Sequence, residues 1–160
     1  MTIKVGDKIP EVTVTRMGDN GPEPVNTRDL FAGKKVVLFS VPGAFTPTCS
    51  AKHLPGFVAK ADDIRAKGVD DIICIAVNDV FVMNAWGKDQ GAKGKVTMIA
   101  DGNGDFTRAL GLTLDATKFG MGERGQRFSL IAEDGVVKEL NVEAPGEFRV
   151  SSAEHCLTQL

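Results

Sequence analysis

A short apolar run that meets a proline and then turns straight into a helix start constrains this chain more than any other feature. Val36-Val37-Leu38-Phe39 continues to Val41 and reads as a buried strand, which Pro42 follows at once. Gly43-Ala44-Phe45 leads into Thr46-Pro47-Thr48-Cys49-Ser50, where Thr46 suits an N-cap, Pro47 the first helical position and Cys49 the first turn. A thiol so placed meets unpaired backbone N–H groups and the positive end of the helix dipole, and both favour thiolate over thiol. A free cysteine, with a pKa of about 8.5, is only a few per cent ionised at neutral pH, so the placement suits a nucleophile.

The flanking segments build an alternating chain. Residues 3–15 read as a short extended arm in which Val12 and Val14 alternate with threonines, and Gly18 to Pro24 as an exposed turn or loop. Thr27 to Phe31 suggests a capped helical turn closed by Gly33. After Cys49 the helix is expected to kink or restart at Pro55 and to end at Lys67-Gly68, with Phe57, Ala61, Ile64 and Ala66 on one face. Asp71 to Val77 is a second buried strand, 80–92 a helix around Val82 and Trp86, Val96 to Ala100 a third strand and 104–110 a short helix. Gly120 to Gly125 reads as a glycine-rich loop. Arg127 to Ala132 and Val136 to Val142 flank Glu133-Asp134-Gly135, whose Asp-Gly is a hairpin signal, and Ser151-Ser152 caps a last helix. The pattern gives α/β with a mixed sheet, in one domain over 1–160.

Composition limits the function classes. At 160 residues, with 42% hydrophobic and 25% charged residues, the chain is of ordinary globular make-up and long enough to bury a core. A net charge of −2 makes no case for nucleic acid or an anionic membrane, and no apolar run reads as a signal peptide or a membrane span. Cys49, Cys74 and Cys156 form neither a CxxC pair nor a disulfide framework, which points to a reducing compartment, the cytoplasm. With His53 and His155 the only histidines and no cysteine cluster, there is no ligand set for a metal, and no cofactor is expected.

Pro42-Gly-Ala-Phe-Thr46-Pro-Thr-Cys49 resembles the Pro-x-x-x-Thr-x-x-Cys motif of peroxiredoxins. The wider run PGAFTPTCSAKHLPGF, with Val77-Asn78-Asp79, Trp86-Gly87 and Arg127-Phe128-Ser129, is similar to the type II, peroxiredoxin-5-like subgroup over nearly the whole chain. The resemblance implies a thioredoxin-like fold, a central mixed sheet flanked by helices with an N-terminal extension. It also implies a thiol peroxidase acting on hydrogen peroxide and small alkyl hydroperoxides, in a homodimer to which Phe45 and Phe81 contribute.

It assigns roles as well. Cys49 is the attacking thiol. Thr46, one helical turn before it, reads by spacing alone equally as an N-cap or as a hydroxyl facing the sulfur, and the motif favours the latter. Pro42 is by physics a strand terminator and by the motif a residue that shapes and shields the site. A lone strand arginine is more often a surface charge, but Arg127 in its Arg-Phe-Ser context matches the arginine that holds thiolate and peroxide; Arg124 competes for that place. His53 shares the face of Cys49 if the helix is continuous, but a solvated or core-satisfied histidine is the commoner outcome, and it stays outside the catalytic set.

Oxidised Cys49 needs a second thiol. Some type II relatives carry one in the loop before the last helix, whereas Pro145 to Ser152 here has none. Cys156, in a stripe with Ala153, Leu157 and Leu160, and Cys74, among isoleucines, both read as core. The expected cycle therefore uses one cysteine and an external thiol, glutathione with glutaredoxin. The alternatives are thioredoxin with Cys74 or Cys156 as resolving thiol, and a non-enzymatic peroxide sensor. A thiol–disulfide oxidoreductase would want CxxC where Thr46-Pro47-Thr48-Cys49 stands.

Overall fold

In the computed structural model, which describes residues 2–160, an irregular N-terminal arm precedes a hairpin of β1 (Thr13–Gly18) and β2 (Gly21–Asn26). Helix α1 (Thr27–Phe31) and strand β3 (Lys35–Ser40) follow, then a π-helical turn, Cys49–His53, that runs into α2 (Leu54–Arg65). Next come β4 (Asp71–Ala76), α3 (Val80–Asp89), β5 (Thr97–Ala100) and α4 (Asp105–Leu110). A small ribbon of β6 (Thr113–Asp115) and β7 (Glu123–Gly125), the hairpin β8 (Phe128–Glu133) and β9 (Val136–Val142), and α5 (Ala153–Gln159) complete the chain. Among the described residues the main sheet has seven strands in the order β2-β1-β5-β4-β3-β8-β9, parallel across β5-β4-β3 and antiparallel elsewhere.

The central strands are apolar on both faces because helices cover both. Along β3, Val37 and Phe39 enter one core with Phe57, Ile64, Trp86 and Cys156, while Val36 and Leu38 enter the other with Phe31, Phe106 and Leu110. β4 alternates alike, so Cys74 and Ala76 share the core of Val37 and Phe39, and Ile73 and Ile75 face the opposite one. Phe39 stacks flat on Phe57 of α2, with ring centroids 4.0 Å apart, which seats the helix after Cys49 on the sheet. Among the described residues no helix is long and apolar enough to cross a membrane.

Several expectations are corrected. Gly18 to Pro24 is no loop: Gly21 to Asn26 pairs with Thr13 to Gly18 around a turn at Asp19-Asn20. Pro22 and Pro24 disguise it, yet β2 is an edge strand, where a missing N–H breaks no second ladder. The glycine-rich segment contributes Glu123 to Gly125 to the ribbon with β6, too short for periodicity to reveal. Ala66 is exposed and only caps α2, so the apolar face ends at Ile64. The helix after Cys49 does change at Pro55, by a slip in register: Leu54 N–H reaches back five residues to Cys49 O. Proline offers no N–H to the preceding turn, and that turn stays π-helical.

Phe57 has no exposed surface and packs on both Phe39 and His53. Phe57→Ala should lower stability by about 3–5 kcal/mol in denaturant titration, whereas Val5→Ala, at an exposed site, should change it by less than about 0.5 kcal/mol.

Candidate active site

The loop after β3 is shaped before any reactive group enters it. Ala44 N–H donates to Asn78 Oδ1 at 2.9 Å, tying the loop to the end of β4. Phe45 takes a positive φ of 63°, and Thr46 Oγ1 donates to Gly43 O at 2.6 Å to close the turn. Gly43 is tightly enclosed: an added Cβ would lie 3.1 Å from Met121 Cε and 3.1 Å from Thr46 Cγ2, and both would have to give by a few tenths of an ångström. Pro42 sits at the bend that leaves the sheet, half-buried.

Thr46 then heads the helical stretch, its carbonyl accepting from Ser50 N–H at 2.9 Å. Of the two readings of its side chain, the hydroxyl cap is not made: the proton goes to Gly43 O, leaving the oxygen lone pairs free to accept. Cys49, at the start of the π-helical turn, has no exposed surface. Ser50 beside it accepts from Trp86 Nε1 at 3.0 Å, which anchors the turn to α3.

Arg127 lies immediately before β8, with Phe128 in the opposite core. Its Nη2 donates to Cys49 Sγ at 3.1 Å and its Nη1 lies 2.8 Å from His53 Nδ1. Arg124 is elsewhere, donating to Met121 O at 2.9 Å and to Val77 O at 3.0 Å.

His53 is core-satisfied and also the support of Arg127. Its Nε2 lies 2.9 Å from Ser151 O, and since a carbonyl only accepts, that nitrogen carries the proton. Nδ1 is therefore bare and accepts from Arg127. Burial, and next the charge of Arg127, pull the His53 pKa from 6.5 to about 3, against smaller upward pulls from Ser151 and Glu143. The ring packs against Phe39, Phe57 and Phe148.

The last link is Glu143, buried after β9. Its Oε2 accepts from Arg149 N–H, Val150 N–H, Ser151 N–H and Ser151 Oγ at 2.7–2.9 Å. Burial opposes ionisation there, but these bonds outweigh it and hold the carboxyl below its ordinary range. A chain thus runs Glu143–Ser151–His53–Arg127–Cys49. Sequence reading missed Glu143 and Ser151, because nothing local marks a carboxylate that clamps a loop six to eight residues on.

The other thiols lie in the core. Burial, with the nearby Cys49 second, pushes the Cys74 thiol well up, and burial raises Cys156 against a hydrogen bond to Ser129. Among the described residues no three His, Cys, Asp or Glu side chains gather to hold a metal.

A pH dependence of stability follows. His53 titrates near 6.5 when unfolded and near 3 when folded, so below 6.5 the unfolded chain binds more protons. The stability is complete above pH 6.5 and drains as pH falls towards 3; Glu143, also depressed, adds in the same direction only below about its ordinary 4.5. Unfolding measured from pH 7 to 5 should show a slope approaching about 1.4 kcal/mol per pH unit in the wild type and a flatter one in His53→Gln.

Residues 4–157 match the Redoxin family. The chain is 51% identical to chloroplastic peroxiredoxin-2E of Arabidopsis thaliana, over 99% of this chain and 70% of that one. To peroxiredoxin-2B of the same plant it is 50% identical, over 99% and 98%. A crystal structure of reduced Prx3 from Vibrio vulnificus in complex with hydrogen peroxide superposes with a TM-score of 0.96 at 51% identity, covering 99% of both chains. A mixed sheet with these flanking helices and this whole-length identity leave one assignment: the chain belongs to the redoxin family, as a type II peroxiredoxin of thioredoxin-like fold, a thiol peroxidase.

Proposed function

We propose that this peroxiredoxin reduces hydrogen peroxide and small alkyl hydroperoxides with Cys49 as the attacking sulfur, and that an external thiol, glutathione with glutaredoxin, regenerates it. The observation that carries the first part is the guanidinium donor of Arg127 at 3.1 Å from a sulfur with no exposed surface. A charged donor in such a site acts on charge as it develops, at no cost in reorganisation. The hydrogen peroxide bound by the Vibrio vulnificus relative supports the same substrate here.

The thiolate attacks the terminal peroxide oxygen; the S–O bond forms as the O–O bond breaks. Negative charge passes from sulfur to the leaving oxygen, and the Arg127 charge beside Cys49 Sγ stabilises it as it moves. Thr46, its own proton engaged by Gly43 O, accepts from the peroxide O–H and orients it. The leaving oxygen takes a proton from water to give alcohol or water, and Cys49 remains as sulfenic acid. Pro42 contributes the bend that keeps the sulfur covered.

The second part rests on the other thiols. Cys74 and Cys156 are both buried with raised pKa, the reverse of what a resolving thiol needs. Three unpaired cysteines fit the cytoplasm, where small thiols stay reduced. A homodimer is supported by aromatic rings on neighbouring segments: Phe45, Phe81 and Phe119 are 53%, 64% and 72% exposed.

Peroxide turnover of Cys49→Ser, Cys74→Ser, Cys156→Ser and Arg127→Lys, with glutathione/glutaredoxin and thioredoxin supplied separately, tests the cycle. Cys49→Ser should be inactive and Arg127→Lys slower by about a hundredfold or more, while the other two turn over normally with glutaredoxin. Arrest of Cys74→Ser or Cys156→Ser after Cys49 is oxidised would establish a two-cysteine cycle instead. Stoichiometric oxidation without turnover by any donor would favour a sensor. Phe81→Glu should shift the sedimentation of the dimer towards monomer.

A further inference from the structure

On the far side of Phe148 from Arg127 lies a cleft of about 400 Å³, lined by Lys52, Gly56, Lys60, Phe148, Arg149 and Glu154 among others. Three features distinguish it from an incidental surface dip. The first is charge. Lys52, Gly56 and Lys60 follow at four-residue steps along one helical face, and Arg149 and Glu154 close the other side, so three cations and one carboxylate face a common space. The competing acid near Arg149 is Glu147, 4.0 Å away in an exposed and hence weak pair.

The second is Gly56. Glycine inside a helix costs stability relative to alanine, and such a residue usually serves a positive φ or a close neighbour. Gly56 serves neither: its φ lies outside the left-handed region, and an added Cβ would meet nothing within 4 Å. What its missing side chain does is leave the floor of the cleft open.

The third is the wall. The Phe148 ring lies 4.9 Å from the His53 ring and 5.9 Å from Arg127 Cζ. One half-buried ring, on a residue outside the Glu143 clamp of 149–151, therefore separates the cleft from the guanidinium that touches Cys49. Lys52 belongs to the same π-helical turn as Cys49.

We propose that this cleft binds a small thiol bearing two carboxylates and one ammonium group, the γ-glutamyl peptide class, and presents it to the Cys49 sulfenic acid. The inference rests on the external-thiol reading above. Two carboxylates meet the Lys52, Lys60 and Arg149 cations, the ammonium meets Glu154, and the thiol faces Phe148. When that ring swings aside, the thiolate attacks Cys49 Sγ. The new S–S bond forms as the S–O bond breaks, and the departing hydroxide takes a proton to leave as water. A second thiol then attacks the peptide's sulfur in the mixed disulfide and releases the Cys49 thiolate.

Glutathione is the probe, with neutral 2-mercaptoethanol as its control. Single-turnover reduction of the sulfenic acid is followed by fluorescence of Trp86, the only tryptophan and hydrogen-bonded to Ser50 beside Cys49. Lys60→Glu and Arg149→Glu should each slow reduction by glutathione about fivefold, with the loss fading at high salt. Gly56→Gln, whose Cβ would meet nothing within 4 Å, should slow it by filling the floor. Reduction by 2-mercaptoethanol and oxidation by peroxide should be unchanged in Lys60→Glu and Gly56→Gln. Equal losses with both thiols, or an unchanged glutathione rate in all three variants, would overturn the cleft while leaving the external-thiol cycle standing. A wild-type sulfenic acid that thioredoxin reduces and glutathione does not would overturn both.

Discussion

Arg127 brings a permanent positive charge against a sulfur that has no exposed surface, and a charge drawn out of water costs several kcal/mol unless its donors are met. One donor goes to Cys49 and another to His53, and the planar fork allows both at once. The acceptor on His53 is available only while the ring is neutral. A protonated ring would turn an N–H towards the guanidinium and set two cations side by side. The apolar walls of Phe39, Phe57 and Phe148 keep it neutral, so the packing of the core and the electrostatics of the site form a single constraint.

That constraint reaches through the backbone. The proton on His53 is fixed at Nε2 by the Ser151 carbonyl, and Ser151 is fixed by Glu143 through both its N–H and its hydroxyl. The π-helical turn fits the same scheme. Pro55 prevents an ordinary α-helical continuation, and the wider turn carries Cys49 at its start and His53 at its end, so that both meet one guanidinium.

Much of this was legible in the residues. The strand Val36 to Val41, the helix opening at Thr46-Pro47 and the Asp-Gly hairpin each follow from local rules, and structure departs from them by a residue or two. Local rules failed where the deciding partner was distant. β2 carries two prolines, and only its place at the sheet edge makes it a strand. The face of His53 was readable, but its partners Ser151 and Arg127 lie far off in sequence, as does Asn78 from the loop it pins. Side chains that act by holding backbone have no spacing signature, because any stretch that folds past them can supply the donors.

The loop from Glu143 to Ser152 bears on where the reducing thiol comes from. Ser151 commits its N–H and hydroxyl to Glu143 and its carbonyl to His53, so none of its polar groups is free to move alone. A resolving residue at that point would have to leave the clamp in each turnover, freeing His53 and then Arg127 at the moment the sulfur needs them. Phe148 stands outside the clamp and exchanges no backbone bond with Glu143; its ring touches the supporting chain only by packing, against His53 and over Arg127. Moving that ring leaves the hydrogen bonds from Glu143 through Ser151 and His53 to Arg127 made, whereas moving Ser151 breaks them at two places at once.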